Sequence, residues 1–136
     1  MNPARSESSH SSRHLLDVNL LLAAIWADHP QHAKAFSWLS GKSVLLCPLS
    51  ELGFLRISTN KKAINASMDK ARDLLNHFAK DRKAVRIACD LEALHSHPDK
   101  SEDVTDHYLA NWAQLHGARL AALDQKLNHA SADIIL

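Results

Sequence analysis

Four carboxylates from four separate segments, Asp17, Glu51, Asp106 and Asp124, are the residues of this chain whose types and placement point to chemistry. Asp17 closes the apolar run His14-Leu15-Leu16, and Asp124 closes the run Arg119-Leu120-Ala121-Ala122-Leu123. Glu51 stands one short step past a third run, Ser43-Val44-Leu45-Leu46-Cys47, and Asp106 falls in the first turn of a helical stretch. In open α/β sheets, ligands bind outside the carboxyl ends of the strands, where the strand order reverses. Acids gathered there repel one another in a cleft of reduced dielectric, and a proton or a cation relieves the repulsion. Hard oxygen donors suit Mg2+ or Mn2+, and such a centre supports phosphodiester hydrolysis by activating water and neutralising phosphate and leaving oxygen.

Taken singly, each acid has a plainer role. Asp17 and Asp124 are also placed to cap helices, and Glu51 and Asp106 to stabilise a helix dipole by a few tenths of a kcal/mol, up to ~1. It is the joint placement at one sheet edge that carries the chemical reading. Asp103 competes with Asp106 from three residues earlier on a similar helical face, and serves otherwise as a cap or peripheral acid. Asn19, two residues past Asp17, is placed to cap a helix or to hydrogen-bond a carboxylate or water.

The elements that must deliver these acids follow from the apolar patterning. Strands are predicted at 14–18, 43–47 and 119–123, a weak one at 84–88 and a last one at 133–136. Between them, an apolar helix capped by Asn19 runs over 20–27. A second starts at Pro30, carries Ala33, Phe36 and Leu39 on its inner face, and stops near Gly41. A third, with Ser50 as cap, runs to about Ile57. Ser67 caps a fourth whose Met68, Ala71, Leu75 and Phe78 share a face. Residues 90–97 read as a turn or short helix. A further helix starts near Asp103 or Thr105, ends before Gly117, and has Val104, Tyr108, Trp112 and Leu115 as its core stripe. A short helix follows Asp124. Strands alternating with helices imply an α/β fold, a mainly parallel sheet of four to five strands covered on both faces. Residues 1–12 read as a flexible polar leader and 13–136 as a single domain.

Composition narrows the function classes. With 136 residues, 46% hydrophobic and 23% charged, the chain has one ordinary globular domain's worth of core. No apolar run approaches the roughly 20 residues that cross a bilayer, so the expectation is a soluble, cytoplasmic protein with no membrane partner. Cys47 and Cys89 lack CxxC spacing and read as reduced, buried thiols. The formal charge of +1 hides an asymmetry: residues 56–86 hold nine basic against three acidic side chains, and residues 87–136 three against eight. The basic stretch, especially Arg56, Lys61 and Lys62, suits a phosphate backbone, with solvated helix faces as the plainer account.

The segments L-L-D-V-N-L-L-L-A-A (15–24), C-P-L-S-E-L-G-F-L-R-I (47–57), V-T-D-H-Y-L (104–109) and G-A-R-L-A-A-L-D-Q-K-L (117–127) occur in this order. Together they resemble the PIN domain, and specifically the VapC ribonuclease toxins of bacterial toxin–antitoxin pairs, over about residues 13–136. The second segment is the most distinctive and is close to a subgroup abundant in mycobacteria. The resemblance implies a PIN-like three-layer α/β/α domain with its acidic residues at Asp17, Glu51, Asp106 and Asp124. It further implies a Mg2+- or Mn2+-dependent endoribonuclease acting on structured RNA, often transfer RNA, and inhibiting translation. A VapB-type antitoxin that blocks the site and a homodimer come with it. Departures are Ala122, where the family often has threonine, His107, where it frequently has a small residue, and V-R-I-A-C-D (85–90), which lacks the usual aromatics.

Other classes fit less well. The ten histidines include the pairs His95/His97 and His29/His32, but without the cysteine or carboxylate complement of a zinc site. Trp26, Trp38 and Trp112 fall on apolar helix faces and read as core. No G-x-S-x-G supports serine hydrolase chemistry. A phosphoacceptor receiver would want adjacent acids after the first strand, where this chain has L-L-D-V. A catalytically silent PIN-like RNA-binding module would have lost some of its acids, and all four positions are acidic here.

Overall fold

The computed structural model describes residues 13–88, 90–92, 104–123 and 132–134. The leader at 1–12, Cys89, the His95/His97 pair, Asp103, Asp124 and the short helix expected after it lie outside the described residues. In chain order the elements are β1 (Arg13–Leu16), α1 (Val18–Ile25), α2 (His32–Trp38), β2 (Ser43–Leu46), α3 (Pro48–Thr59) and α4 (Met68–Asp81). β3 (Val85–Arg86), α5 (Val104–Leu115), β4 (Arg119–Ala122) and β5 (Ala132–Ile134) complete them.

The five strands form one parallel sheet in the order β3-β2-β1-β4-β5. From the central β1 the chain steps outward through β2 to β3, then crosses back to lay β4 on the other side of β1. The order therefore reverses between β1 and β4, and their carboxyl ends flank the crevice where ligands bind in such sheets. Side chains alternate faces along each strand. Leu16, Val44, Leu46 and Ala121 join one core with α1 to α4, and Leu15, Leu45, Leu120 and Ala122 join another with Leu109, Ala110, Trp112 and Ala113 of α5. This is the three-layer α/β/α arrangement the sequence implied, with the sheet parallel throughout.

α1 is apolar on nearly every side because it is enclosed on nearly every side. The sheet lies below it and α2, α3 and α4 pack around it, burying Leu20 to Ala24. Its cap is Asp17 rather than Asn19, which sits exposed inside the first turn. α3 begins two residues before the expected Ser50 cap. Pro48 takes the first helical position, where its missing N–H costs nothing, and Ser50 is buried within the helix.

Two helices turn a different face inward than the apolar spacing predicts. Pro30 does not start α2. His29 donates its N–H to the Trp26 carbonyl and takes the Gln31 N–H on Nδ1, a turn that delays the helix to His32. The phase shifts with it, so Ala35 and Leu39 are buried, while Ala33 is exposed and Phe36, 54% exposed, lies under the Arg82 guanidinium. In that turn, burial first and the His32 charge second hold the His29 imidazole below its ordinary pKa. α5 buries Leu109, Ala110, Trp112 and Ala113, leaving Val104 and Leu115 at its ends exposed. Small alanines face the sheet because they let the helix approach it closely. The expected stripe of large side chains selected volume instead. Trp112 is fully buried, and Trp26 and Trp38 are half-buried against the other core. Met68 is likewise exposed at the start of α4, whose Ala71, Leu75, Phe78 and Ala79 face inward. Ser67 caps α4 as expected, accepting the Lys70 N–H at 3.1 Å.

One polar cluster lies near the amino-terminal starts of β1 and β4. Asp133 of β5 accepts from Arg119 Nε at 2.8 Å and pairs with His14 Nε2 at 2.7 Å. His14 and Asp133 sit on strands separated by β4, where His14 is in register with Arg119 and Asp133 with Ala121, so the pair reaches diagonally across that strand. His14 is buried and meets Trp38 edge to face, with ring centroids 4.8 Å apart.

Candidate active site

β1 ends where its apolar run ends, and the next residue, Asp17, is both buried and polar. Only 1% of it is exposed. Its Oδ1 accepts the Leu20 N–H at 2.7 Å, and its own N–H donates to the Ala121 carbonyl at 3.1 Å, tying the ends of β1 and β4 together. Burying a carboxylate is costly, and here a charge-assisted bond and the positive end of α1 offset part of the cost.

Glu51 arrives on the first turn of α3. Gly53, one half-turn later, sets how close that helix comes. A Cβ at this position would stand 2.6 Å from Val18 Cγ2, so only glycine lets α3 settle against the start of α1. The Glu51 side chain is 16% exposed and its Oε1 accepts from Arg86 Nε at 2.8 Å. Asp106 lies half-buried in the first turn of α5.

Val18, Leu49, Leu52, Gly53, Arg56 and Thr105 enclose a cleft of about 380 Å³. Its walls are thus the chain neighbour of Asp17, the α3 face of Leu49, Leu52, Gly53 and Arg56, and the chain neighbour of Asp106, while Glu51 is not among its lining residues. Leu49, Leu52 and Thr105 are shared with an adjoining apolar groove of about 440 Å³, completed by Pro48, Leu91, Val104 and Tyr108. Leu52 is 63% exposed and Val104 51%, so this groove presents bare apolar surface beside the cleft.

The candidate residues do not all share this place. Arg56 lines the cleft. Lys61 and Lys62 are exposed in the turn after α3, past a helix end that lies about 12 Å along the axis from Glu51 at 1.5 Å per residue. Lys62 donates its N–H to Asn60 Oδ1 at 2.8 Å, which fixes that turn. Asn19 is exposed on α1, and the candidates Asp103 and Asp124 lie outside the described residues. Among the described residues, no three of His, Cys, Asp and Glu converge closely enough to hold a metal ion. Among the described residues, the candidate donors at this edge are the carboxylates Asp17, Glu51 and Asp106, and carboxylate oxygen suits Mg2+ or Mn2+ better than Zn2+. Cys47, the one described thiol, is buried against Ser50 Oγ at 3.8 Å.

Arg86, the ion-pair partner of Glu51, is a residue that sequence reading does not single out. It is one of nine basic residues in its stretch, and its partner lies 35 positions away on another element. Nothing local marks it.

The PIN domain family model matches residues 14–133. Ribonuclease VapC38 of Mycobacterium tuberculosis (strain ATCC 25618 / H37Rv) is 42% identical over 57 residues, which cover 40% of each chain. Ribonuclease VapC39 (strain CDC 1551 / Oshkosh) is 38% identical over 60 residues, 42% of this chain and 43% of that protein. Ribonuclease VapC44 of the same strain is 39% identical over 67 residues, 46% and 47% respectively. The matched stretches span less than half the length of these curated relatives.

Proposed function

Because this chain belongs to the PIN domain family, we propose that it is a metal-dependent endoribonuclease, the VapC-type toxin of a toxin–antitoxin pair. Its substrate is structured RNA such as transfer RNA, and cleavage stops translation. The observation that carries the reading is Asp17, a buried carboxylate bonded across the point where the strand order reverses, with a cleft opening at its neighbour Val18.

Asp17, Asp106 and Asp124 are the proposed ligands of Mg2+ or Mn2+. When bound, the ion supplies charge neutralisation at the phosphate and a more acidic water. The protein's own groups do the rest. Asp17 is fixed by the Leu20 N–H, and Glu51, on the first turn of α3, would hold a second ion or position water. Arg56 meets the phosphate backbone at the cleft wall. Lys61 and Lys62, in the turn after α3, act at a distance by steering RNA, which makes binding weaken as salt rises. A VapB-type antitoxin blocks the site, and the exposed groove of Leu49, Leu52 and Val104 beside the cleft supports that seat. A homodimer completes the proposed assembly.

The test is Asp17→Asn, purified without antitoxin and assayed on transfer RNA with Mg2+ or Mn2+. Asparagine caps helices about as well as aspartate, so folding is retained while the charge is removed. Cleavage is expected to fall by about 100-fold or more. A rate equal to wild type would show that the chemistry lies elsewhere.

A further inference from the structure

We propose that the amino-terminal edge of the sheet, opposite the candidate active site, carries a second RNA contact: a cleft that takes one unstacked base of a single-stranded segment. The ribonuclease reading above supplies the identity of the polymer, and nothing else in the proposal depends on it.

The cleft lies where α2 runs into β2 and α4 into β3. Phe36, Ser37, Ser40 and Gly41 form one wall and Phe78, Asp81 and Arg82 the other, around a space of about 570 Å³. That is within the range of small-ligand sites. Gly41, at φ +77°, turns the chain from α2 toward Ser43 of β2. The cleft is therefore at least about 10 Å along that strand from the carboxyl end of the sheet.

Its walls offer planar surface. The Arg82 guanidinium lies 4.6 Å from the Phe36 ring centroid and 5.9 Å from that of Phe78, and its Nη1 donates to the Leu39 carbonyl at 3.5 Å. Phe78 is buried and holds the arginine from within, yet Phe36 is still 54% exposed. On the same ring His32 packs tilted, with centroids 5.6 Å apart. His32, Phe36 and Arg82 thus make a row of flat groups with apolar face left in water, and a base extends such a row by stacking.

Charge decides which part of a nucleotide enters. Asp81 on the cleft wall repels a phosphate, whereas its carboxylate accepts from the N–H groups of a base edge. The surroundings have the opposite sign. Residues 34–42 and 77–83 hold Lys34, Lys42, Lys80, Arg82 and Lys83 against Asp81 alone, and Lys34, Lys80 and Lys83 are exposed. An acid within and basic side chains around suit a base pointing inward with its phosphates outside. A duplex keeps its bases paired and presents phosphates, so the fit is to single strand. A second copy of this chain would set the same basic surface against itself.

The test is binding, with EDTA present so that metal-dependent cleavage does not intervene. A short labelled RNA without self-complementarity, and a duplex of the same length, are titrated with the full chain and read by fluorescence anisotropy. Phe36→Ala and Phe36→Leu are expected to weaken single-strand binding by at least about fivefold, since each removes the stacking face, while Phe36→Trp binds at least as tightly as wild type. Duplex binding, held by phosphates, should change by less than about twofold in all three. Ultraviolet crosslinking should place the single strand on the peptide that carries Phe36. Equal single-strand affinity of wild type and Phe36→Leu overturns the proposal, as does an equal loss on strand and duplex, or a wild-type chain that binds no single strand. A Phe36→Leu chain that sediments as a smaller species with RNA binding intact overturns it too and assigns the ring to a second copy. Leucine keeps the apolar contact, so Phe36→Leu decides if the alanine variant does not fold. The ribonuclease reading is judged separately, by metal-dependent cleavage in Asp17→Asn, and either can fail without the other.

Discussion

Two carboxylates of this molecule make ion pairs at opposite ends of the sheet, and they are held in different ways. Asp133 is gripped from two strands at once, by His14 of β1 and Arg119 of β4, one contact on each oxygen. Glu51 has one arginine on one oxygen. A carboxylate whose two oxygens each hold a basic side chain from a different strand is fixed on both sides and works as a clamp. A carboxylate held on one side keeps its second oxygen open to a further hydrogen bond. The same functional group, paired at the same distance of about 2.8 Å, thus has its role set by how many partners it has.

Replacing Asp133 by alanine should sharpen that contrast most. It removes the His14–Asp133 and Arg119–Asp133 contacts and with them the link across β4. Unfolding is expected to become easier by about 1–2 kcal/mol, a charge-assisted bond discounted for partial exposure. Urea denaturation measures this. RNA cleavage below the transition should stay near wild type, and a loss as large as that of Asp17→Asn would erase the distinction between clamp and site.

Gly53→Ala probes the other end with a smaller structural effect. The added methyl meets Val18 and costs about 1–3 kcal/mol as overpacking, against about 0.5–1 kcal/mol returned by better helix propensity. The net loss of roughly 1 kcal/mol should come with a fall in cleavage out of proportion to it, because the strain lands beside Asp17 and on the helix that carries Glu51. Val18→Ala in the same chain should restore much of both.

The smallest effect concerns pH and a histidine in neither cluster. His29 titrates lower in the folded chain than when unfolded, so the unfolded state takes up the extra proton first. Its contribution destabilises the fold as pH falls below the ordinary histidine pKa and vanishes above it. His29→Gln should flatten the stability curve in that window and leave its alkaline side unchanged, as thermal melts across pH would show.

How much of this was legible in sequence depended on the range of each interaction. Asp17 announced itself because an apolar run stopped at it, and Gly41 and Gly117 marked their helix ends, both adopting positive φ. The helix start was less legible, since Asp17 and Asn19 are both good caps and only the fold chooses between them. The inner faces of α2 and α5 were misjudged for a related reason. A turn three residues long changed the phase of one, and close packing on the sheet favoured Ala110 and Ala113 over larger side chains in the other. The pairs Glu51–Arg86 and His14–Asp133, 35 and 119 positions apart, had no local signature at all. The family resemblance supplied the motif positions but not these contacts.

The order of the strands also bears on when the molecule becomes competent. β1 finds β2 after about thirty residues of chain, a cheap loop to close, whereas its other neighbour, β4, lies about a hundred residues on. During synthesis the first core can assemble around α1 to α4 while the crevice beside Asp17 still has a single wall. The Asp17 N–H bond to Ala121 forms only when β4 docks, so the edge beside Asp17 closes after the first core has assembled.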